Sequence, residues 1–177
     1  MVNCLLRNNR AEERGGAVSN YGTLTMTSCV LRNNSATPYF IAMGGAIFNY
    51  ATLDMVDCEV EFSYTLAMGG AIFNCASANC PGYYGKLTMT RCLLHRNHCA
   101  AYGGALQNDE GSATLTDCVL QSNSAGEVRS SWRPSPHVTC ALVDALGCHR
   151  SRDRPACGAA CWRHQQPATL HAHNERL

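Results

Sequence analysis

Long apolar runs, charge and aromatic side chains are all scarce in this chain. No stretch approaches the roughly 18 consecutive apolar residues of a membrane-spanning helix, so the sequence predicts no membrane span. No basic segment followed by an apolar stretch opens the chain, so no signal peptide is expected. Only 15% of the residues are charged and the formal net charge is +1, which gives neither nucleic acid nor an acidic membrane a field to bind. No run keeps an i, i+3, i+4 apolar stripe for about ten residues, which excludes helical repeats. The L-x-x-L-x-L spacing of leucine-rich repeats is missing as well.

What the chain has instead is an internal repeat. The frame Gly-Gly-Ala-apolar-x-Asn returns as GGAVSN at Gly15–Asn20, GGAIFN at Gly44–Asn49 and Gly69–Asn74, and GGALQN at Gly103–Asn108. An alternating run ending in cysteine follows each: Leu24–Cys29, Leu53–Cys58, Leu87–Cys92 and Ala113–Cys118. Two residues past each Cys stands an aliphatic residue (Leu31, Val60, Leu94, Leu120), and five past it a small polar one (Asn34, Ser63, Asn97, Asn123). Cys4, Leu6 and Asn9 obey the same spacing. The separation of Cys4 and Cys29 sets a 25-residue period, lengthened later by insertions at Thr37–Met43 and Cys75–Gly85 that are expected to project as loops.

Alternation with a period of two marks β-strands. Three short strands in each period, separated by Gly, Asn and Ser, predict one coil of a β-solenoid. The expected fold is therefore all-β: a single right-handed parallel β-helix of four to five coils over residues 1–126, with corners at Gly15, Gly44, Gly69 and Gly103. Val18, Ile47, Ile72 and Leu106 are expected to form one buried column. Cys29, Cys58, Cys92 and Cys118, with Cys4 below, form another. Asn20, Asn49, Asn74 and Asn108 are expected to stack at the roughly 4.8 Å strand spacing and to hydrogen-bond along the column. Ser19, Phe48, Phe73 and Gln107 alternate with these and are expected to face solvent.

The cysteines read as small hydrophobes in a tight core. Directly stacked parallel positions do not favour disulfide geometry, and no His accompanies them at constant spacing as a metal site would require. Cys75 and Cys80 share an insertion and have the separation to close a loop wherever the compartment is oxidising; the residues alone leave that pairing open.

Beyond Gly126 the repeat stops. Residues 127–177 hold seven of the fourteen basic residues, interrupted by Pro134, Pro136, Pro155 and Pro167. They read as an irregular tail without its own core. Cys148, His149, Cys157, Cys161 and His164 match zinc spacing poorly. Val138–Leu146 is the segment that could fold over the last coil as a cap, above Leu115 and Leu120.

The two GGAI tetrapeptides, Gly44–Ile47 and Gly69–Ile72, resemble the repeats of polymorphic outer-membrane (POMP-type) proteins. Their F-x-x-N spacing is not kept, since Phe48 and Phe73 directly precede the Asn. The chain is more similar to the wider set of right-handed β-helix repeats with GG-aliphatic-x-N followed by L-T-x-T, over Met1–Ala125. The resemblance implies an extracellular or cell-surface location, with glycans or another surface protein as partners. Met1 opens in the third strand of a coil, an end that repeat proteins normally cap, so a fragment of a longer secreted array is expected.

Pectate lyases and polygalacturonases share this architecture but need carboxylates converging on one outer face, to bind Ca²⁺ or act as an acid–base pair. The outward acids here are Asp54, Asp57, Glu59, Glu61 and Asp117. Arg91 stands between Asp57 and Asp117, and Glu59 and Glu61 are expected to lack partners on adjacent rungs. No catalytic, cofactor-binding or metal-binding residue is assigned and no cofactor is expected. The leading expectation is a non-enzymatic structural or adhesive module. Carbohydrate binding on Phe48 and Phe73 is the alternative, and a pectate-lyase-like enzyme is less favoured.

Overall fold

The computed structural model describes residues 1–37, 42–75, 84–109 and 111–126, together with the backbone of 138–144. Among these residues there is no helix, and every named strand pairs in parallel. The chain visits the same strand positions in the same order in each period. Val18–Asn20, Ile47–Asn49, Ile72–Cys75 and Leu106–Asp109 form one sheet, with Val18, Ile47, Ile72 and Leu106 in register. Thr23–Thr27, Thr52–Val56, Lys86–Thr90 and the first half of Ser112–Gln121 follow. Leu5–Arg7, Val30–Arg32, Glu59–Glu61, Leu93–His95 and the second half of Ser112–Gln121 continue the same sheet. Two-residue strands, from Arg10–Ala11 to Ser124–Ala125, close each period. Each period thus carries four short strands where alternation alone predicts three. The all-β, all-parallel arrangement in curled sheets is compatible with a β-solenoid.

Three columns of left-handed backbone turn the chain. The first Gly of each frame is one, with φ of +67° at Gly44. Ser28, Asp57, Arg91 and Asp117 form the second, and Asn33, Phe62, Arg96 and Ser122 the third, all with φ between 50° and 55°. L-residues avoid this region. Here the amides of the corner residues below the last rung are held by a carbonyl one rung on: Asp57 N to Thr90 O at 3.0 Å, and Asn33 N to Glu61 O at 3.0 Å. The second Gly of the frame answers to space instead. A Cβ on Gly45 would sit 2.1 Å from the Gly70 carbonyl oxygen.

Between the sheets lies one continuous core. Leu53, Leu87 and Ala113, then Met26, Met55, Met89 and Leu115, then Leu31, Val60, Leu94 and Leu120 are stacked and buried. Ile47, Ile72 and Leu106 are buried as their register requires, and Val18, on the first rung, is half-buried against the same core. A slip of one residue in any strand would turn its apolar set outward.

The expected exposure of Phe48, Phe73 and Gln107 is wrong. Alternation holds, because the two rings belong to a cluster separate from the main core. That far side is itself covered: Phe48 is 0% and Phe73 1% exposed, packed with Tyr50 and Cys75. The rings stack at 5.5 Å, Tyr50 meets Phe48 edge-on at 4.6 Å, and the Arg14 guanidinium lies 5.1 Å from the Phe48 centroid. Ser19 alone of the four is exposed.

Val138–Asp144 pairs in parallel with Ser112–Gln121, from Ala113↔Val138 to Val119↔Asp144. This is the segment singled out as a cap, and it extends the sheet by one strand. The rest of 127–177, with its Cys and His, lies outside the described residues. So do 38–41 and 76–83, the greater parts of the two insertions. Cys75 is disulfide-bonded, and Cys80 lies outside the described residues.

Candidate functional site

The corner Asn residues form a bonded column. Asn20 Nδ2 donates to Asn49 Oδ1 at 2.8 Å, Asn49 Nδ2 to Asn74 Oδ1 at 2.7 Å, and Asn74 Nδ2 to Asn108 Oδ1 at 2.6 Å. Each amide also donates to backbone carbonyls, as Asn49 does to Ala51 and Asn74 to Gly85 and Ser112. A second column lies five residues past each Cys. Asn9 and Asn97 donate to Asn34 and Asn123, each at 3.0 Å, and Ser63 interrupts the line with a side chain too short to bridge rungs. The repeated polar position signals this column in the sequence; its bonding becomes visible only in register.

The cysteine column is buried and free of disulfides at Cys29, Cys58, Cys92 and Cys118. These thiols do more than fill space. Each donates to the carbonyl two residues back, for example Cys58 Sγ to Val56 O at 3.3 Å and Cys92 Sγ to Thr90 O at 3.4 Å. The left-handed residue just before each Cys turns the strand there, and the thiol supplies a donor for a carbonyl at that turn. Hydrogen bonds to Cys118 and Cys58 push the Cys92 thiol well up, so it stays neutral. Burial pushes Cys99 up to about 11.

The outward charges are where the structure most alters the sequence reading. Arg91 does stand beside Asp57: its Nε and Nη2 meet the two carboxylate oxygens at 2.7 and 2.8 Å. Those hydrogen bonds hold the Asp57 carboxyl below its ordinary range. Asp54 is half-buried, Asp117 is exposed, and neither belongs to an ion pair among the described residues.

Glu59 and Glu61, expected to stand alone, both have partners: Glu61 on both neighbouring rungs and Glu59 on one. Register places Arg32, Glu61 and His95 in one row, each three residues past its Cys. Arg32 Nε reaches Glu61 Oε1 at 3.3 Å. His95 Nε2 lies 2.8 Å from Glu59 Oε1 and 3.4 Å from Glu61 Oε2. The side chains of Glu61 and His95 are only 11% and 14% exposed, whereas Glu59 is open to solvent on one side at 38%. Phe62 roofs the row, with Arg32 and Arg96 at 5.6 and 5.4 Å from its ring and His95 at 6.2 Å. One ligand atom from each of Glu59, Glu61 and His95 falls within 4.8 Å of the others. The constant Cys+3 spacing carries this row in the sequence, but attention to each strand's own face conceals it.

No family model, no curated protein and no solved structure matches the chain.

Proposed function

We propose that this chain is part of a right-handed parallel β-helix of four to five coils, akin to POMP-type repeats, that serves as a non-enzymatic structural or adhesive module of a secreted or surface protein. The observation that carries the reading is the contrast between the two faces of one strand. Inward, Leu31, Val60, Leu94 and Leu120 keep one character on every rung. Outward in the same strands, the column reads Arg32, Glu61, His95 and Gln121. A rigid inner scaffold with a freely varied outer column suits display.

Glycan binding on a Phe48–Phe73 ladder loses its basis, because both rings are buried. A polysaccharide-cleaving reading is weakened by Asp57 and Glu61, whose carboxylates are already engaged by Arg91 and Arg32. The test is a pair of assays on purified protein. Incubation with polygalacturonate and related polysaccharides is expected to release no new reducing ends. Beads coated with the protein are expected to be retained on cell-surface preparations above albumin-coated beads, and less so after Arg32→Ser with His95→Ser. Release of reducing ends in proportion to protein would overturn the proposal, as would retention no better than albumin. An experimental structure with left-handed winding would overturn the architecture.

A further inference from the structure

We infer that Glu59, Glu61 and His95 form a binding site for a single first-row divalent cation of the zinc type. The inference starts from a mismatch of protons and lone pairs. Three groups converge on one point: the Nε2 of an imidazole, and one oxygen from each of two carboxylates, at 2.8 and 3.4 Å from that nitrogen. Ionised carboxylates only accept, and Nε2 carries at most one hydrogen. One hydrogen satisfies the shorter contact and leaves Glu61 Oε2 facing the same nitrogen at 3.4 Å.

Basic side chains do not resolve this. Arg32 engages the other oxygen of Glu61, Oε1. Among the described residues, Glu59 makes no ion pair with Lys or Arg. With neutral imidazole, the three converging groups carry two negative charges, those of Glu59 and Glu61, while Arg32 bonds the far oxygen of Glu61 and Arg7 follows Arg32 in the same row. A divalent cation at the point of convergence would balance the two carboxylates directly and take up all three lone pairs.

The geometry matches the ion. Tetrahedral zinc holds nitrogen and oxygen ligands at about 2.0–2.2 Å, so its ligand atoms lie some 3.3–3.5 Å apart. The 3.4 Å separation of His95 Nε2 and Glu61 Oε2 already has that value. Glu59 needs only a rotamer adjustment, and it is the most exposed of the three. Two ligands at i and i+2 on one strand, with a third across the adjacent strand, give three donors on one face. The fourth position opens to solvent.

The same row shows the support that metal ligands usually have. Arg32 fixes Glu61 so that Oε2 alone faces inward, the type of outer contact that orients a ligating carboxylate. Phe62, itself exposed to solvent, stands between the Arg32 and Arg96 guanidinium groups at 5.6 and 5.4 Å. A nitrogen ligand and only two carboxylates disfavour calcium and magnesium, which take all-oxygen shells.

The test uses the full chain, untagged. The protein carries thiols and imidazoles elsewhere, so the quantity read is the equivalent of metal that depends on His95. Zinc chloride titrated by calorimetry is expected to show one such equivalent. It should be absent in His95→Gln, weakened at least tenfold in Glu61→Gln, and unchanged in Asp57→Asn, which removes an equal charge one corner away. Cobalt chloride is expected to give, for that same equivalent, visible bands of nitrogen and oxygen ligation. If His95→Gln does not fold, the wild-type protein still decides the matter: the His95 ring resonance should shift with the first equivalent of zinc. A His95 signal that zinc leaves in place, or binding identical in wild type and His95→Gln, would overturn the site. Magnesium binding there at equal affinity would overturn the ion assignment.

Discussion

Replacing Asn74 by leucine isolates what the buried asparagine column is worth. Asn74 is fully buried and accepts from Asn49 at 2.7 Å. It donates to Asn108 at 2.6 Å and to the carbonyls of Gly85 and Ser112, each at 3.1 Å. Leucine has the same branching and number of side-chain heavy atoms, so no cavity forms, and its bulkier methyl groups add overpacking to the lost hydrogen bonds. Two of the partners keep another bond: Gly85 O still accepts from Ser112 N at 2.9 Å, and Asn49 Nδ2 still reaches Ala51 O at 2.8 Å. Asn108 Oδ1 loses its one donor among the described residues. A buried acceptor left without a partner costs about 1–3 kcal/mol, and each further bond lost about 0.5–1.5 kcal/mol. With one orphaned acceptor and three further bonds lost, the sum spans about 2.5–7.5 kcal/mol and centres on about 5 kcal/mol, a fall of about 10–20 °C in Tm for a chain of this size. Urea unfolding with an unchanged m-value, together with a thermal melt followed by circular dichroism, measures it. A loss below about 1 kcal/mol, the net worth of one ordinary hydrogen bond, would refute the reasoning. The column would then be a consequence of stacking and not a source of stability.

Three further outcomes are expected. Gln107 continues the Phe48–Phe73 column, yet its buried Oε1 and Nε2 have no partner among the described residues, so Gln107→Met, near-isosteric and apolar, should stabilise by about 1–2 kcal/mol in the same unfolding assay. Gly45→Ala forces a Cβ to 2.1 Å from a backbone oxygen and should cost more than about 3 kcal/mol or abolish soluble expression, whereas Gly22→Ala, with nothing within 4 Å, should change stability by less than about 1 kcal/mol. The depressed Asp57 carboxyl means that the benefit of its pair with Arg91 is complete above the ordinary Asp value of 3.8 and is lost as pH falls through the lowered one. Arg91→Gln should therefore raise the Asp57 titration midpoint, followed by carbon-13 NMR of the carboxyl.

The frame and its spacing determined the β-strands, the parallel register, the aliphatic and cysteine columns and the asparagine ladder. Each depends only on what the next copy of the same segment places one rung away, so repetition in sequence becomes contact in space. Two kinds of feature escaped that logic. One concerns coverage: alternation says which way Phe48 and Phe73 point, but their burial depends on Arg14, Met43 and Met68 just before the frame and on Tyr50 and Cys75 just after it, outside the frame itself. The other concerns chemistry across rungs. Arg32, Glu61 and His95 differ on every coil, so a search for what repeats passes over them. Tertiary structure brings them into one row because backbone pairing fixes rung against rung whatever the side chains are. Thiol donation to carbonyls arises in the same way, from the left-handed turns at Ser28, Asp57 and Arg91, of which only Asp57 is a residue type that favours that conformation. Sequence decided the scaffold because a repeat defines its own neighbours. The structure decided what the scaffold covers and what it brings together.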